Sequence, residues 1–234
     1  MKALSIDSSA MRLTVSAKNG IHTVSAVYDI GMKQSETLLP AIDYVLEKAS
    51  IAPQELDYTA LCSGPGSFTG LRLSFSALKA MQLAHGTPVY GVPTLEAYAE
   101  PYTSLPFLVL CAIDAKKGRF YAECRSGSKA ALPAGDYEPC EIEEALKAAI
   151  KMEGADGTSC AGILLCGPDV AMLKEKLRLP AESPEMYAAP TETIPAGALF
   201  RLAERQMQDG TPPLAEYEGP VYLRASEAEI KREA

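Results

Sequence analysis

The stretch Ile6-Asp7-Ser8-Ser9, followed by Arg12-Leu13-Thr14-Val15, is repeated in outline 107 residues later, as Ile113-Asp114 followed by Arg119-Phe120-Tyr121-Ala122. In both places an apolar strand ends in Ile-Asp, and a tight turn and an arginine lead into a second strand. A second repeat places Leu61-Cys62-Ser63-Gly64-Pro65, and later Leu165-Cys166-Gly167-Pro168, directly before a helix. Two short matches can also arise by chance. If they do not, they predict a duplicated α/β unit with its boundary near residues 100–106.

The first half of the chain alternates strands and helices around these motifs. Asn19-Gly20 separates two runs of alternating apolar residues and predicts a hairpin with a type I′ turn. Ser35 can cap one helix, and a strand at 56–63 precedes a second helix that runs to about His85. In the second half, 126–136 is rich in Gly, Ser, Ala and Asp, which predicts a loop.

The composition is that of an acidic globular protein. Apolar residues make up 47% of the 234, and 22 Lys and Arg face 30 Asp and Glu, for a formal charge of -8. Such a charge, with no Lys/Arg block, disfavours unaided binding to nucleic-acid phosphates. No apolar run approaches the ~20 residues of a membrane span, and the first residues are too short and too acidic for a signal peptide. We therefore expect no membrane association and a cytoplasmic location.

Histidine and cysteine are too sparse for the common metal and redox sites. His22 and His85 are 63 residues apart, so no H-x-x-x-H pair exists, and the six cysteines form no C-x-x-C pair. The sequence therefore predicts no bound metal, and reduced cysteines that act as small apolar residues.

Two turns combine carboxylates, hydroxyls and glycines in a pattern that phosphate sites use. Asp7 ends a strand and two hydroxyl side chains follow it, while the glycine-rich stretch 64–70 precedes a helix whose N–H groups favour anions. That stretch is neither a Walker A loop nor a G-x-G-x-x-G motif. The same residues suit structural roles, because Asp closes hairpin turns and Ser67 can cap the helix. The predicted vestigial anion or nucleotide site comprises Asp7, Ser8, Ser9, Gly64, Gly66, Ser67 and Asp114.

The helix after the glycine-rich stretch is apolar over most of its circumference. Small residues on it permit close approach of another helix, so it is either core on both sides or part of an interface. Together with the preceding helix it predicts a partner-binding surface. The predicted interface comprises Leu38, Leu39, Ile42, Leu71, Ser74, Ala77, Leu78, Ala80 and Met81.

Six motifs follow one another along the chain. They are Leu4-Ser5-Ile6-Asp7-Ser8-Ser9, Ser35-Glu36-Thr37-Leu38-Leu39-Pro40, Gly64-Pro65-Gly66-Ser67-Phe68-Thr69-Gly70-Leu71-Arg72, Gly91-Val92-Pro93-Thr94-Leu95-Glu96-Ala97, Ile113-Asp114-Ala115 and Tyr222-Leu223-Arg224. In this order they resemble the TsaB (YeaZ) family of bacterial tRNA threonylcarbamoyladenosine biosynthesis proteins. The resemblance covers essentially the whole chain and is densest in residues 1–100. One departure is Gln34, where the family commonly has a histidine.

The resemblance implies an α/β fold of the actin, sugar kinase and Hsp70 (ASKHA) type. Two tandem ribonuclease-H-like lobes are then expected at 1–103 and 104–224, the first of them binding the partner, with a charged tail at 225–234. It also implies a non-catalytic paralogue of the TsaD subunit, which pairs with a TsaD-like chain to form N6-threonylcarbamoyladenosine at position 37 of tRNAs that read codons starting with A. A TsaE-like ATPase joins that assembly.

The resemblance and the charge together set the expected ligands. No cofactor is expected to bind tightly to the chain alone. ATP or ADP is expected to bind only within the complex, and tRNA only through the complex. Alone, the chain is expected to form a homodimer. The alternative is an ATP-binding phosphotransferase of the sugar-kinase class, which would use Asp7 and Asp114 around the nucleotide. A metalloprotease is disfavoured because no paired histidines exist.

Overall fold

The computed structural model describes residues 1–127, 129–155, 161–189 and 193–224. The chain divides into two compact units. Unit 1 comprises Met1–Pro101 and Pro190–Pro220, and unit 2 comprises Tyr102–Ala189 and Val221–Ala234. The predicted tail at 225–234 lies outside the described residues.

Unit 1 is built on one five-stranded sheet with helices on its two faces. Its elements are β1 (Lys2–Asp7), β2 (Arg12–Asn19), β3 (His22–Asp29), α1 (Gln34–Ala49), β4 (Tyr58–Gly64), α2 (Phe68–His85), β5 (Val89–Pro93), α3 (Thr94–Ala99) and α6 (Ala196–Gln208). The strand order is β3-β2-β1-β4-β5. The first three strands are antiparallel, and β1, β4 and β5 are parallel, which is the arrangement of a ribonuclease-H-like sheet.

The hairpin between β2 and β3 forms where Asn19-Gly20 predicted it. Asn19 pairs with His22, so the two-residue turn is Gly20–Ile21. A type I′ turn needs positive φ at both turn residues, but here Gly20 has a φ of 62° and Ile21 is not left-handed. The predicted turn type is therefore wrong. Asn19 stays in the ladder because its side-chain amide donates to the Ala49 carbonyl at 2.9 Å.

The main core of unit 1 lies between the sheet and helices α1 and α2. Leu4, Ile6, Leu13 and Val15 project from β1 and β2 and are fully buried. Leu38, Ile42 and Val45 of α1, with Phe75 and Leu78 of α2, join the same cluster at helical spacing. Each fully buried leucine or isoleucine contributes roughly 1.5–3 kcal/mol of transfer free energy, which fixes both helices on this face.

The opposite face of the sheet is covered by α3 and α6, so the predicted boundary needs a correction. The lobe was expected to end at 103, yet the described part of 190–220 returns from the far end of the chain to unit 1. Glu204 of α6 accepts hydrogen bonds from Lys18 Nζ at 2.5 Å and from the Tyr58 hydroxyl at 2.8 Å. The Phe200 ring packs edge-on against Tyr58, with 6.5 Å between ring centroids. These contacts tie α6 to β2 and β4.

Unit 2 repeats the architecture of unit 1. Its elements are β6 (Leu108–Asp114), β7 (Phe120–Ser126), β8 (Lys129–Tyr137), α4 (Pro139–Ala155), β9 (Ile163–Cys166), α5 (Val170–Lys176) and β10 (Met186–Ala188). The strand order β8-β7-β6-β9-β10 matches that of unit 1 strand for strand. The predicted duplication and α/β class are therefore confirmed. The loop predicted at 126–136 is wrong, because most of it forms β8. Among the described residues, no helix is both long and apolar enough to cross a membrane.

Candidate functional site

Asp7 ends β1, and the turn that follows donates hydrogen bonds to one oxygen of its carboxylate. Oδ1 of Asp7 accepts from the Ser9 N–H at 2.9 Å and from the Ser9 hydroxyl at 2.6 Å. Asp7 is 2% exposed, and Ser8 and Ser9 are equally buried. These bonds are those of an Asx turn, so the structural role of Asp7 is realised here.

The glycine-rich loop packs directly on the Asp7 turn. The Ser67 N–H donates to the Ser9 carbonyl at 2.7 Å, and the Ser8 hydroxyl donates to the Gly70 carbonyl at 2.7 Å. Ser67 also caps α2, because its hydroxyl accepts from the Gly70 N–H at 3.2 Å. The structure thus brings together the predicted residues Ser8, Ser9 and Ser67.

Glycine is needed in this loop because the two backbones touch. A Cβ on Gly66 would lie 2.5 Å from the Ser9 carbonyl oxygen, and a Cβ on Gly70 would overlap the Ser8 carbonyl oxygen. Gly64, at the end of β4, has a φ of 119°, which side-chain-bearing residues rarely adopt. The glycines therefore allow close packing of the loop on the turn, which leaves little space for an anion between them.

Cys62 and the Ile194 backbone complete the surroundings of Asp7, and Thr94 lies next to Cys62. Sequence reasoning missed all three. Burial raises the pKa of Asp7. Hydrogen bonds from Ser9, Cys62 and the Ile194 N–H act in the opposite direction, but the effect of burial is larger. Burial and the neighbouring Asp7 carboxylate raise the pKa of the Cys62 thiol well above its usual value, so the thiol is unreactive.

A signal for two of these neighbours was present in the sequence. Cys62 and Thr94 stand near the carboxyl ends of β4 and β5, which run parallel to β1, and such ends meet at one edge of a sheet. Ile194 carried no signal, since it lies in the distant segment that leads into α6.

Asp114 ends β6 in unit 2, as Asp7 ends β1 in unit 1. Its carboxylate accepts from the Lys116 N–H and from Lys116 Nζ, each at 2.8 Å, and its own N–H donates to Asp169 at 2.8 Å. Partial burial acts to raise the pKa of Asp114, but the bonds from Lys116 outweigh it and leave the pKa below its usual value. Asp114 is therefore a charged carboxylate paired with a lysine.

The structure corrects the predicted interface, because several of its residues are buried. Leu38, Ile42, Leu71, Ser74 and Leu78 are at most 5% exposed and pack inside unit 1. For these five the prediction of an interface is wrong, because the apolar face that suggested a partner covers the sheet instead. Of the predicted set, Leu39 and Ala80 are exposed, and Ala77 and Met81 are half-buried.

Exposed apolar side chains nevertheless remain on α1 and α2. Leu39 is 63% and Tyr44 48% exposed on α1, while Phe68 is 45% and Leu83 72% exposed on α2. Ala80 of α2 is exposed as well. We call these five residues the α1–α2 surface.

Gln34 takes over a structural role at the start of α1. It is 8% exposed, and its side-chain amide donates to the carbonyl of Ala10 at 2.9 Å and to that of Met11 at 3.2 Å. It therefore fixes the chain that follows the Asp7 turn. Within the described residues, no group of three or more His, Cys, Asp or Glu side chains could hold a metal ion.

Comparisons with known proteins agree on one family. The family model for tRNA N6-adenosine threonylcarbamoyltransferase (TsaD) matches residues 32–231. The tRNA threonylcarbamoyladenosine biosynthesis protein TsaB of Escherichia coli is 26% identical, over 96% of this chain and 95% of its own. The TsaB of Buchnera aphidicola from Schizaphis graminum is 32% identical over 50% of this chain, and the match spans 57% of the relative's length.

A solved structure, YeaZ from Pseudomonas aeruginosa, shares the fold. It superposes with a TM-score of 0.75 at 24% identity, over 95% of this chain and 99% of its own. Two sheets of one strand order, each with an aspartate at the end of its first strand, define a two-lobed α/β protein of the actin, sugar kinase and Hsp70 type. The chain belongs to the tRNA N6-adenosine threonylcarbamoyltransferase family, as a member of its TsaB (YeaZ) group.

Proposed function

We propose that this chain is a non-catalytic subunit that pairs with a TsaD-like catalytic chain in forming N6-threonylcarbamoyladenosine at position 37 of tRNAs that read codons starting with A. The relatives support the proposed reaction, because they are named as tRNA threonylcarbamoyladenosine biosynthesis proteins. The observation that carries the non-catalytic role is the contact between the Asp7 turn and the glycine-rich loop, where the Ser67 N–H binds the Ser9 carbonyl at 2.7 Å.

That contact disfavours the phosphotransferase alternative. A transferring enzyme needs its N–H donors and carboxylate directed at the phosphate or at its metal ion. Here the Ser67 N–H is directed at the protein's own backbone, and Oδ1 of Asp7 accepts from Ser9. An anion could bind between turn and loop only after these bonds break.

The α1–α2 surface is the proposed docking site for the TsaD-like chain. Exposed leucine and aromatic side chains on adjacent helices suit the core of a protein interface, where apolar side chains are removed from water together. In the absence of that partner, the same surface is proposed to join two copies of this chain in a homodimer.

The remaining parts of the proposal concern ligands and location. A TsaE-like ATPase joins the complex, and ATP or ADP binds only there. The formal charge of -8 keeps the free chain from tRNA, so tRNA is held through the complex. The proposed location is the cytoplasm.

The decisive experiment reconstitutes tRNA modification with the TsaD-like chain and the other components, with and without this protein. The proposal requires that omission abolishes product, whereas Asp114→Asn restores it as fully as the unmodified chain. Asp114 is chosen because its carboxylate lies at the end of β6 near the surface, so the change leaves the core intact. Loss of modification in a folded Asp114→Asn variant that still binds the partner would instead support the phosphotransferase.

A further inference from the structure

The outer edge of β5 is covered by a short extended segment from the far end of the chain. β5 is the last strand of its sheet and pairs with β4 alone. The Leu214 N–H donates to the Val89 carbonyl at 2.8 Å, and the side-chain amide of Gln206 donates to the Gly91 carbonyl at 3.0 Å. Two outward carbonyls of an edge strand therefore receive donors, one from backbone and one from a side chain.

Gly91 provides the space for the Leu214 side chain. A Cβ on Gly91 would lie 3.1 Å from one methyl of Leu214 and 3.2 Å from the other. Any larger residue at position 91 would press on the leucine. Leu214 also packs against the main core of unit 1. Together these contacts half-bury the Leu214 side chain at a place that we call the Gly91 slot.

Lys79 of α2 holds the same segment from the other side. Its ammonium donates to the carbonyls of Leu214 at 3.2 Å and Ala215 at 2.5 Å. Leu214 and Ala215 therefore make polar contacts both with the edge of β5 and with Lys79 of α2.

The rest of the segment has few contacts, apart from the Thr211 N–H, which donates to the Gln206 carbonyl at 2.8 Å. Within 211–219, all of which the structure describes, Leu214 alone is half-buried and its neighbours are exposed. Pro212 and Pro213 restrict the backbone to extended conformations, so little conformational entropy is lost when Leu214 enters the slot. The segment is fixed by the Leu214 side chain, by one backbone hydrogen bond to β5 and by the Lys79 ammonium. A segment with so few contacts can detach without opening the core.

We propose that 211–215 is a detachable strap, and that the groove between β5 and α2 is a strand-addition site for an extended, leucine-bearing segment of this sequence. The backbone hydrogen bond from the Leu214 N–H to the Val89 carbonyl and the Lys79 contacts supply affinity, and the Gly91 slot supplies selectivity for leucine. In the resting chain the strap occupies the groove from the same molecule. When it detaches, the same segment of a second copy can enter.

The test removes the Leu214 side chain from the Gly91 slot and measures binding of the strap sequence as a separate peptide. In the full-length Leu214→Ala chain, a labelled peptide Thr-Pro-Pro-Leu-Ala-Glu should bind saturably, as measured by fluorescence anisotropy. The unmodified chain should bind it at least about tenfold more weakly, because the tethered strap competes at an effective concentration of order millimolar. A peptide with Asp in place of Leu should not bind. Equal binding of both peptides, or equal binding by both chains, overturns the proposal.

Hydrogen exchange of the unmodified chain provides a second test that needs no variant. The Leu214 amide should exchange at least about tenfold faster than the amides of β4, because the strap opens without the sheet. Exchange of Leu214 only at the rate of the slowest amides of β4 would show that the segment is an integral part of the core, and the strap would be rejected. In the peptide assay, Tyr217→Ala is the matched control for Leu214→Ala, since Tyr217 is 93% exposed on the same segment.

Discussion

Replacing Ala80 with arginine tests the α1–α2 surface directly. Ala80 is exposed on α2, and Arg is nearly as good a helix former as Ala, so the free energy of unfolding should change by less than about 0.5 kcal/mol. In a complex, the guanidinium would face apolar neighbours without a counter-charge. Such an unpaired interfacial charge costs roughly 2–5 kcal/mol, a loss of at least ~30-fold in affinity.

The assay is a titration of the TsaD-like chain by calorimetry, with sedimentation of this chain alone to follow the homodimer. Ala148→Arg is the matched control, because Ala148 is also an exposed alanine within a helix, α4 of unit 2. Circular dichroism should show both variants folded. We expect Ala80→Arg to abolish both binding of the TsaD-like chain and homodimer formation, and Ala148→Arg to leave both unchanged.

One result would refute the reasoning. If folded Ala80→Arg binds the partner as tightly as Ala148→Arg does and still dimerises, neither interface includes this side of α2. The exposed leucine and aromatic residues there would then need another explanation.

Three further predictions concern the turns and the buried carboxylate. Gly70→Ala should lower the free energy of unfolding by about 1–3 kcal/mol or more, since its Cβ overlaps the Ser8 carbonyl; Gly219→Ala, whose Cβ meets nothing within 4 Å, should be near neutral in the same urea melts. Lys117→Gly should raise the free energy of unfolding by about 0.5–1 kcal/mol, and with it the melting temperature, because Lys117 has a φ of 56°. An unchanged or lower melting temperature would contradict this prediction. Because burial raises the pKa of Asp7, its contribution to stability is full below the ordinary Asp pKa of about 3.9 and is lost as pH rises through the raised value. The stability of the unmodified chain relative to Asp7→Asn should therefore fall as pH rises above the ordinary Asp pKa. A pH-independent difference between the two chains would be inconsistent with that shift.

Local patterns predicted the fold well because the duplication repeats them. The Ile-Asp ends of β1 and β6 and the Gly-Pro turns after β4 and β9 are short-range features, and each follows from a strand that ends in a turn. β8 was missed because Pro133 and Gly135 are poor strand formers. An edge strand tolerates them, and its pairing with β7 is irregular.

The candidate site was predicted in part, since sequence gives residue types but not neighbours. Ser8, Ser9 and Ser67 do come together, but as partners of one another rather than of an anion. On α2, sequence alone could not tell an apolar face that covers a sheet from one that meets a partner. Leu71 and Ala80 illustrate the outcome, because one is fully buried and the other exposed.

The return of α6 to unit 1 has a consequence for synthesis on the ribosome. The chain emerges from its N-terminus, so the sheet of unit 1 is made long before the helix that covers one of its faces. Until Ala196–Gln208 emerges, Tyr58 lacks both Glu204 and the Phe200 ring. Unit 2 is complete up to Ala189 by then. Unit 1 is thus still unfinished when the Tyr102–Ala189 part of unit 2 has been made, and a fragment that stops before α6 leaves an unprotected sheet face available for aggregation.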